Sequence, residues 1–159
     1  MKHVMSVLVE NKVGVLARIT GLFSGRGFNI ESLAVGETEN MAISRMTIVV
    51  SGDDAILEQV RKQLGKVIDT LKVTDFTDTD YVERDLMLIK VSAAPGKRSE
   101  IVELVDVFRG KIIDVGHKDM IIEISGPEDR LEAMLNLIRP YGIKEVARSG
   151  RIAMNRGQK

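Results

Sequence analysis

The order of apolar patterns constrains this chain more than any other feature, because it occurs twice. "VMSVLV" (Val4–Val9) reads as a strand. Val15, Leu16, Ile19, Leu22 and Phe23 then fall at i, i+1, i+4, i+7 and i+8, which is one face of a helix that Gly25 and Gly27 end. A strand from Phe28 to about Gly36, the polar turn "ETEN" and the strand "AISRMTIVV" follow. Asp53 or Asp54 suits the cap of a second helix, with Ile56, Leu57, Val60 and Leu64 at helical spacing. A strand from about Val67 to Phe76 closes the unit, and the polar "TDTDY" (Thr77–Tyr81) reads as a linker. The order then repeats. "LMLIKVSA" is a strand and "APGK" a turn, and a helix runs from about Ser99 to Phe108. "KIIDVG" and "MIIEIS" are strands around His117, and Pro127 suits the first position of a helix that Pro140 stops. "IKEVARSG" is the last strand, and the tail 151–159 has no clear period. The expected fold is α+β: two tandem βαββαβ ferredoxin-like units, residues 1–77 and 82–150. Each should form an antiparallel four-stranded sheet with two helices on one face.

Composition narrows the function. The 159 residues carry 23 basic and 23 acidic side chains, split 9 to 10 in residues 1–79 and 14 to 13 in residues 80–159. Neither half has the basic excess that a nucleic-acid partner usually needs. With no cysteine there can be no disulfide, thiol nucleophile or thiolate metal site. No apolar run reaches membrane-spanning length and no signal-type segment opens the chain, so a soluble cytoplasmic protein is expected, with no membrane partner. The histidines are His3 and His117, and nothing around them in sequence resembles a catalytic or metal-binding pattern. "RGFNI" (Arg26–Ile30) echoes part of an RNA-recognition strand, but Phe28 lacks the further aromatics that base stacking requires.

One short stretch carries more chemistry. In "ENKVGVLARI" (Glu10–Ile19) only Asn11, Lys12, Val13 and Gly14 separate strand from helix. Val13 stands immediately before the glycine, where a Ser, Thr or Asp cap would be expected. The N–H groups of Gly14, Val15 and Leu16 are then open to an anion at the positive helix end. The same residues also suit a plain tight turn. The matching stretch of the second unit, "SAAPGKRSE", lacks the N-x-x-G spacing, and Asp114 stands near the place of Asn29.

These residues resemble the ligand loop and first helix of an ACT domain, the amino-acid-sensing βαββαβ module. "RGFNIESLAVG", "SRMTIVV", "FRGKIIDV" and "EVARSG", in order along the chain, are similar to the small regulatory subunit family of acetohydroxyacid synthase (acetolactate synthase). The family often has a proline-containing turn where this chain has "ETENMA". The resemblance implies a non-catalytic regulatory subunit in branched-chain amino-acid biosynthesis. It implies an ACT domain over residues 1–77, homodimerisation through that domain, and valine as feedback effector. The site residues implied are Asn11, Gly14, Val15, Leu16, Asn29 and Ile30, with Val13 and Val35 helping to line an apolar pocket. Asn11 and Asn29 would reach one ligand from different subunits. No cofactor or metal is expected on this chain, which has no GDG-type diphosphate motif. The large catalytic subunit would carry thiamine diphosphate, magnesium and FAD. The alternative reading is an ACT-type amino-acid sensor serving another enzyme or a transcription system.

Overall fold

The computed structural model describes residues 2–158. The chain divides into two compact units, Met1–Val82 with Arg151–Lys159, and Glu83–Gly150. In the first unit the elements are β1 (Lys2–Glu10), α1 (Val15–Ser24), β2 (Asn29–Glu37), β3 (Ile43–Ser51), α2 (Asp54–Leu64) and β4 (Thr70–Asp75). The strands pair antiparallel in the order β2-β3-β1-β4, so β2 and β4 are the edges. Met5, Val7 and Val9 alternate along β1 and meet Met46, Ile48 and Val50 of β3. These residues pack against Val15, Ile19 and Phe23 of α1 and Leu57, Val60 and Leu64 of α2. The pattern is the ordinary one, in which period-2 strands offer one face to the apolar stripe of each helix. Asp53 is the cap of α2, accepting from the N–H groups of Ala55 and Ile56.

The opposite face of β1 and β3 is also covered. Val4, Ser6, Thr47 and Val49 are buried, which is why these strands read as near-continuous apolar runs. Part of the cover is the tail. β9 (Ile152–Asn155) lays Ala153 against Val4, Val49 and Phe76. The Arg151 N–H donates to Ser32 Oγ at 2.9 Å, and Arg156 pairs with Asp80. β9 also pairs with β5, whose first two residues belong to the first unit. The aperiodic tail is therefore an element of the first unit. The linker is ordered too: the Phe76 and Tyr81 ring centroids lie 5.0 Å apart. Buried His3 bridges Thr77 and Asp54 through its two ring nitrogens, at 2.9 and 2.8 Å.

The second unit repeats the topology with β5 (Tyr81–Ser92), α3 (Arg98–Val107), β6 (Lys111–Val115), β7 (Asp119–Gly126), α4 (Glu128–Ile138) and β8 (Ile143–Arg148), in the order β6-β7-β5-β8. Its core joins Met87, Ile89, Val91, Met120, Ile122 and Ile124 to Ile101, Val105, Leu131, Met134 and Ile138. Pro127 is the N-cap of α4 rather than its first helical residue. Pro140 does not stop the helix abruptly. It sits in a single 3-10 turn, Arg139–Tyr141, early enough that its missing N–H costs no bond.

Candidate effector site

The β1–α1 loop is held from three sides. The Asn11 N–H donates to the Ala42 carbonyl at 2.8 Å and the Glu10 N–H to the Asp69 carbonyl at 2.9 Å. Asn11 Nδ2 donates to the Met41 carbonyl at 3.0 Å and to Glu37 Oε1 at 3.2 Å. With both amide hydrogens committed, Asn11 keeps Oδ1 as an acceptor on an exposed residue. Lys12 folds back onto Glu10 at 2.8 Å, and that carboxylate raises the Lys12 ammonium above its usual range.

Gly14 is the N-cap of α1 at φ 85, ψ −7, a left-handed conformation that glycine adopts without strain. No side chain caps this helix and its first turn holds no acid. The Val15 N–H reaches the Lys12 carbonyl only at 3.4 Å, and the N–H groups of Gly14 and Leu16 have no backbone partner among the described residues. These donors, backed by the helix dipole, favour an anion.

A further cation, absent from the sequence reading, stands here. Arg18 donates through Nε (3.0 Å) and Nη2 (2.6 Å) to Asp69 Oδ2, and Asp69 is only 4% exposed. That clamp leaves Nη1 beside the loop, 3.4 Å from where a Cβ on Gly14 would lie. The signal available was spacing: Arg18 is four residues after Gly14, on the same side of the helix.

Asn29 and Ile30 are elsewhere in the same chain. Asn29 opens β2 opposite Ser51, which pairs with Lys2 at the far end of β1. Eight residue steps separate Asn29 from Glu37, the β2 residue touching Asn11, or about 26 Å of strand. Val35 and Val13 are exposed, Val13 completely, whereas Ile30 is half-buried against the core. One chain thus gathers Asn11, Val13, Gly14, Val15, Leu16 and Arg18 at one end of the sheet and leaves Asn29 and Ile30 at the other.

The second unit lacks this niche. Arg98 at the start of α3 turns back and donates to the carbonyls of Ala93, Gly116 and His117 at 2.6–3.2 Å. Pro95 in that loop has no N–H to offer, and Glu100 places an acid in the first helical turn. The counterpart of Asn29 also differs from expectation. Gly27 and Arg109 are the left-handed residues after α1 and α3. The next N–H groups, Phe28 and Gly110, each donate five residues back, to Phe23 and Val105. The bulges fall at Glu31 and Ile113. Lys111 therefore matches Asn29, and Asp114 matches Ser32.

Among the described residues no cluster of three or more His, Cys, Asp or Glu side chains could hold a metal. Among the described residues no helix is long and apolar enough to cross a membrane.

An edge-exposed βαββαβ sheet with an uncapped strand–helix loop is an architecture able to take a small anionic group at the helix start. Residues 5–72 match the family model described as the AHAS small subunit-like ACT domain. Residues 84–157 match the one described as the small subunit of acetolactate synthase. The chain is 59% identical to a probable acetolactate synthase small subunit of Archaeoglobus fulgidus, covering 100% of this chain and 99% of that one. It is 53% identical to the acetolactate synthase small subunit of Aquifex aeolicus, covering 98% and 81%. The crystal structure of the acetolactate synthase small subunit from Thermotoga maritima superposes with a TM-score of 0.89 at 44% identity, over 100% of this chain and 99% of that one. The chain belongs to the acetolactate synthase small-subunit family, and its first unit is an ACT-type regulatory domain.

Proposed function

We propose that this subunit binds valine between the ACT domains of two copies and transmits its occupancy to a large catalytic subunit as feedback inhibition. The observation that carries this reading is the position of Asn29. β2 is an edge strand with its outer backbone unpaired, and it runs from Asn29 to Glu37 with Leu33 at its centre. Antiparallel pairing of two β2 strands about Leu33 sets residue 29 of one copy beside residue 37 of the other. Asn29 then reaches the loop of the partner copy at Asn11, and dimerisation and binding become one event.

The chemistry of an amino acid fits that arrangement. Its carboxylate takes the N–H groups of Gly14, Val15 and Leu16, with Arg18 as the nearby cation. Its ammonium takes the side-chain carbonyls of Asn11 and Asn29. Its branched side chain lies against Val13, Val35 and Ile30, which the second copy shields from water. By family resemblance the catalytic partner carries thiamine diphosphate, magnesium and FAD, and this chain supplies activation and regulation. Binding and activity are then linked by a coupling free energy of typically ~1–3 kcal/mol.

The test is a valine titration of reconstituted enzyme. Added to a matching large subunit, the chain raises acetolactate formation, and valine lowers it again. Absence of stimulation overturns the regulatory assignment. Stimulation without valine sensitivity overturns the effector assignment alone.

A further inference from the structure

On the face of the first sheet turned away from α1 and α2, a cavity of about 170 Å³ is lined by Leu8, Arg45, Lys72, Thr74, Phe76, Met154 and Asn155. Leu8 pairs with Arg45 on β3 and with Lys72 on β4. The two cations therefore flank it on neighbouring strands, about 10 Å apart at their Cα atoms. The alternation of the strands sends both to this face. Their neighbours Met46 and Val73 pack on the helix side, and Arg45 Nη1 donates to Ser6 Oγ at 2.7 Å. Ser6 is buried, so that bond fixes the guanidinium. Neither Arg45 nor Lys72 has a carboxylate partner among the described residues, in a chain with as many acids as bases. Thr74 adds a hydroxyl beside Lys72, and the tail adds the Asn155 amide at the rim.

Arg45 is half-buried without a counter-ion, which is uncommon because its desolvation goes uncompensated, and the exposed Lys72 adds a second positive charge on the neighbouring strand. A fixed guanidinium, a mobile ammonium, a hydroxyl and an amide around a small cavity are the donor set for a tetrahedral oxyanion. The cavity is too small for a folded partner. We infer that it is a binding site for a small phosphate-class oxyanion, either the free ion or the phosphate of a small phosphomonoester. Because Met154 and Asn155 wall it, occupancy also fastens the tail strand to the sheet.

The experiment uses the full chain. Calorimetric titrations with inorganic phosphate, and in a second arm with glycerol phosphate, are run at fixed ionic strength balanced by chloride. The expected result is saturable binding that weakens about tenfold or more in Arg45→Gln and in Lys72→Gln. Amide exchange over Ile152–Asn155 should slow on addition of phosphate in the wild type and not in the variants. Tighter binding of glycerol phosphate identifies a phosphomonoester as the ligand, and equal binding identifies the free ion. The Lys72 side chain is exposed, so Lys72→Gln decides the matter even if Arg45→Gln fails to fold. No saturation by either probe, saturation unchanged in both variants, or binding only of a glutamate-rich peptide would overturn the inference.

Discussion

The two strand–helix loops begin from the same topology and end with opposite chemistry. In the first unit Gly14 takes the left-handed cap position, no side chain occupies the helix start, and Arg18 is clamped by Asp69 beside open N–H groups. In the second unit Arg98 bonds the carbonyls of Ala93, Gly116 and His117, and Glu100 supplies the negative charge that the helix start favours. One loop leaves its electrostatic demand open and the other satisfies it internally. A fold repeated twice in one chain thus leaves a helix start open once, and the difference lies in a few residues around that start rather than in the architecture.

The sharpest way to break this comparison is to close the first loop. Gly14→Asp strains the backbone at φ 85 and puts a carboxylate where the proposed effector's carboxylate would sit, within reach of Arg18. Valine inhibition of reconstituted enzyme should require a concentration higher by roughly a hundredfold or more. Activation of the catalytic subunit should persist, because Gly14 lies outside the core. Next in size are Asn11→Ala, which removes the proposed ligand acceptor along with the side-chain bonds to Glu37 and Met41, and Asn29→His, which removes the other proposed acceptor; each should shift the valine titration by about ten- to a hundredfold. Both residues are exposed, so thermal melting should hardly move.

Arg18→Gln tests the residue that sequence reading missed. It removes a cation from the loop but also leaves the buried Asp69 carboxylate unpaired, so stability should fall along with valine sensitivity. Adding Asp69→Asn should restore the melting temperature without restoring sensitivity. Recovery of both would show that Arg18 acts only through the fold. In the second unit, Gly96→Asp is the control. Gly96 has open space around it, and valine sensitivity should stay within about twofold of wild type. A larger shift would mean that the second loop shares in the site.

The doubled topology and the first loop were legible because they rest on local rules: period-2 and period-3.6 spacing, and a glycine where a cap should be. What escaped depends on distance. Arg18 reads as an ordinary surface helix residue until Asp69, fifty-one residues on, is seen to hold it. β9 escaped because "IAMN" is four residues long and buries one side chain, Ala153, against a sheet built from remote strands. In the sequence Asp114 falls beside Asn29 when Phe23-x-Gly25 is matched to Phe108-x-Gly110. The left-handed residues Gly27 and Arg109 show that this alignment is three residues out, because Arg109 gives no sequence sign of a positive φ.

The smallest expected effect follows from that corrected alignment. Glu31 sits at the β2 bulge, and its counterpart at the β6 bulge is Ile113. Ser51 Oγ donates to Glu31 at 2.5 Å and Lys2 Nζ lies 3.1 Å away. The hydroxyl first, then the ammonium, hold the Glu31 carboxyl below its ordinary range. A carboxylate with a depressed folded pKa contributes stability that is present above the unfolded pKa and lost as pH falls through the folded value. Acidification below the usual carboxylate range should therefore loosen the start of β2, while Ile113, the residue at the β6 bulge, has no carboxyl to lose. Amide exchange at Asn29 and Ser51 should accelerate relative to Lys111 and Glu123 as pH is lowered, after correction for intrinsic rates. Because Glu31 is partly exposed, solvent screens the interaction and the change should be small. Glu31→Gln keeps the Ser51 contact but cannot titrate, so it should remove the pH dependence of that difference. If the difference persists in Glu31→Gln, the acid response belongs to some other group, and the two bulges are alike in this respect.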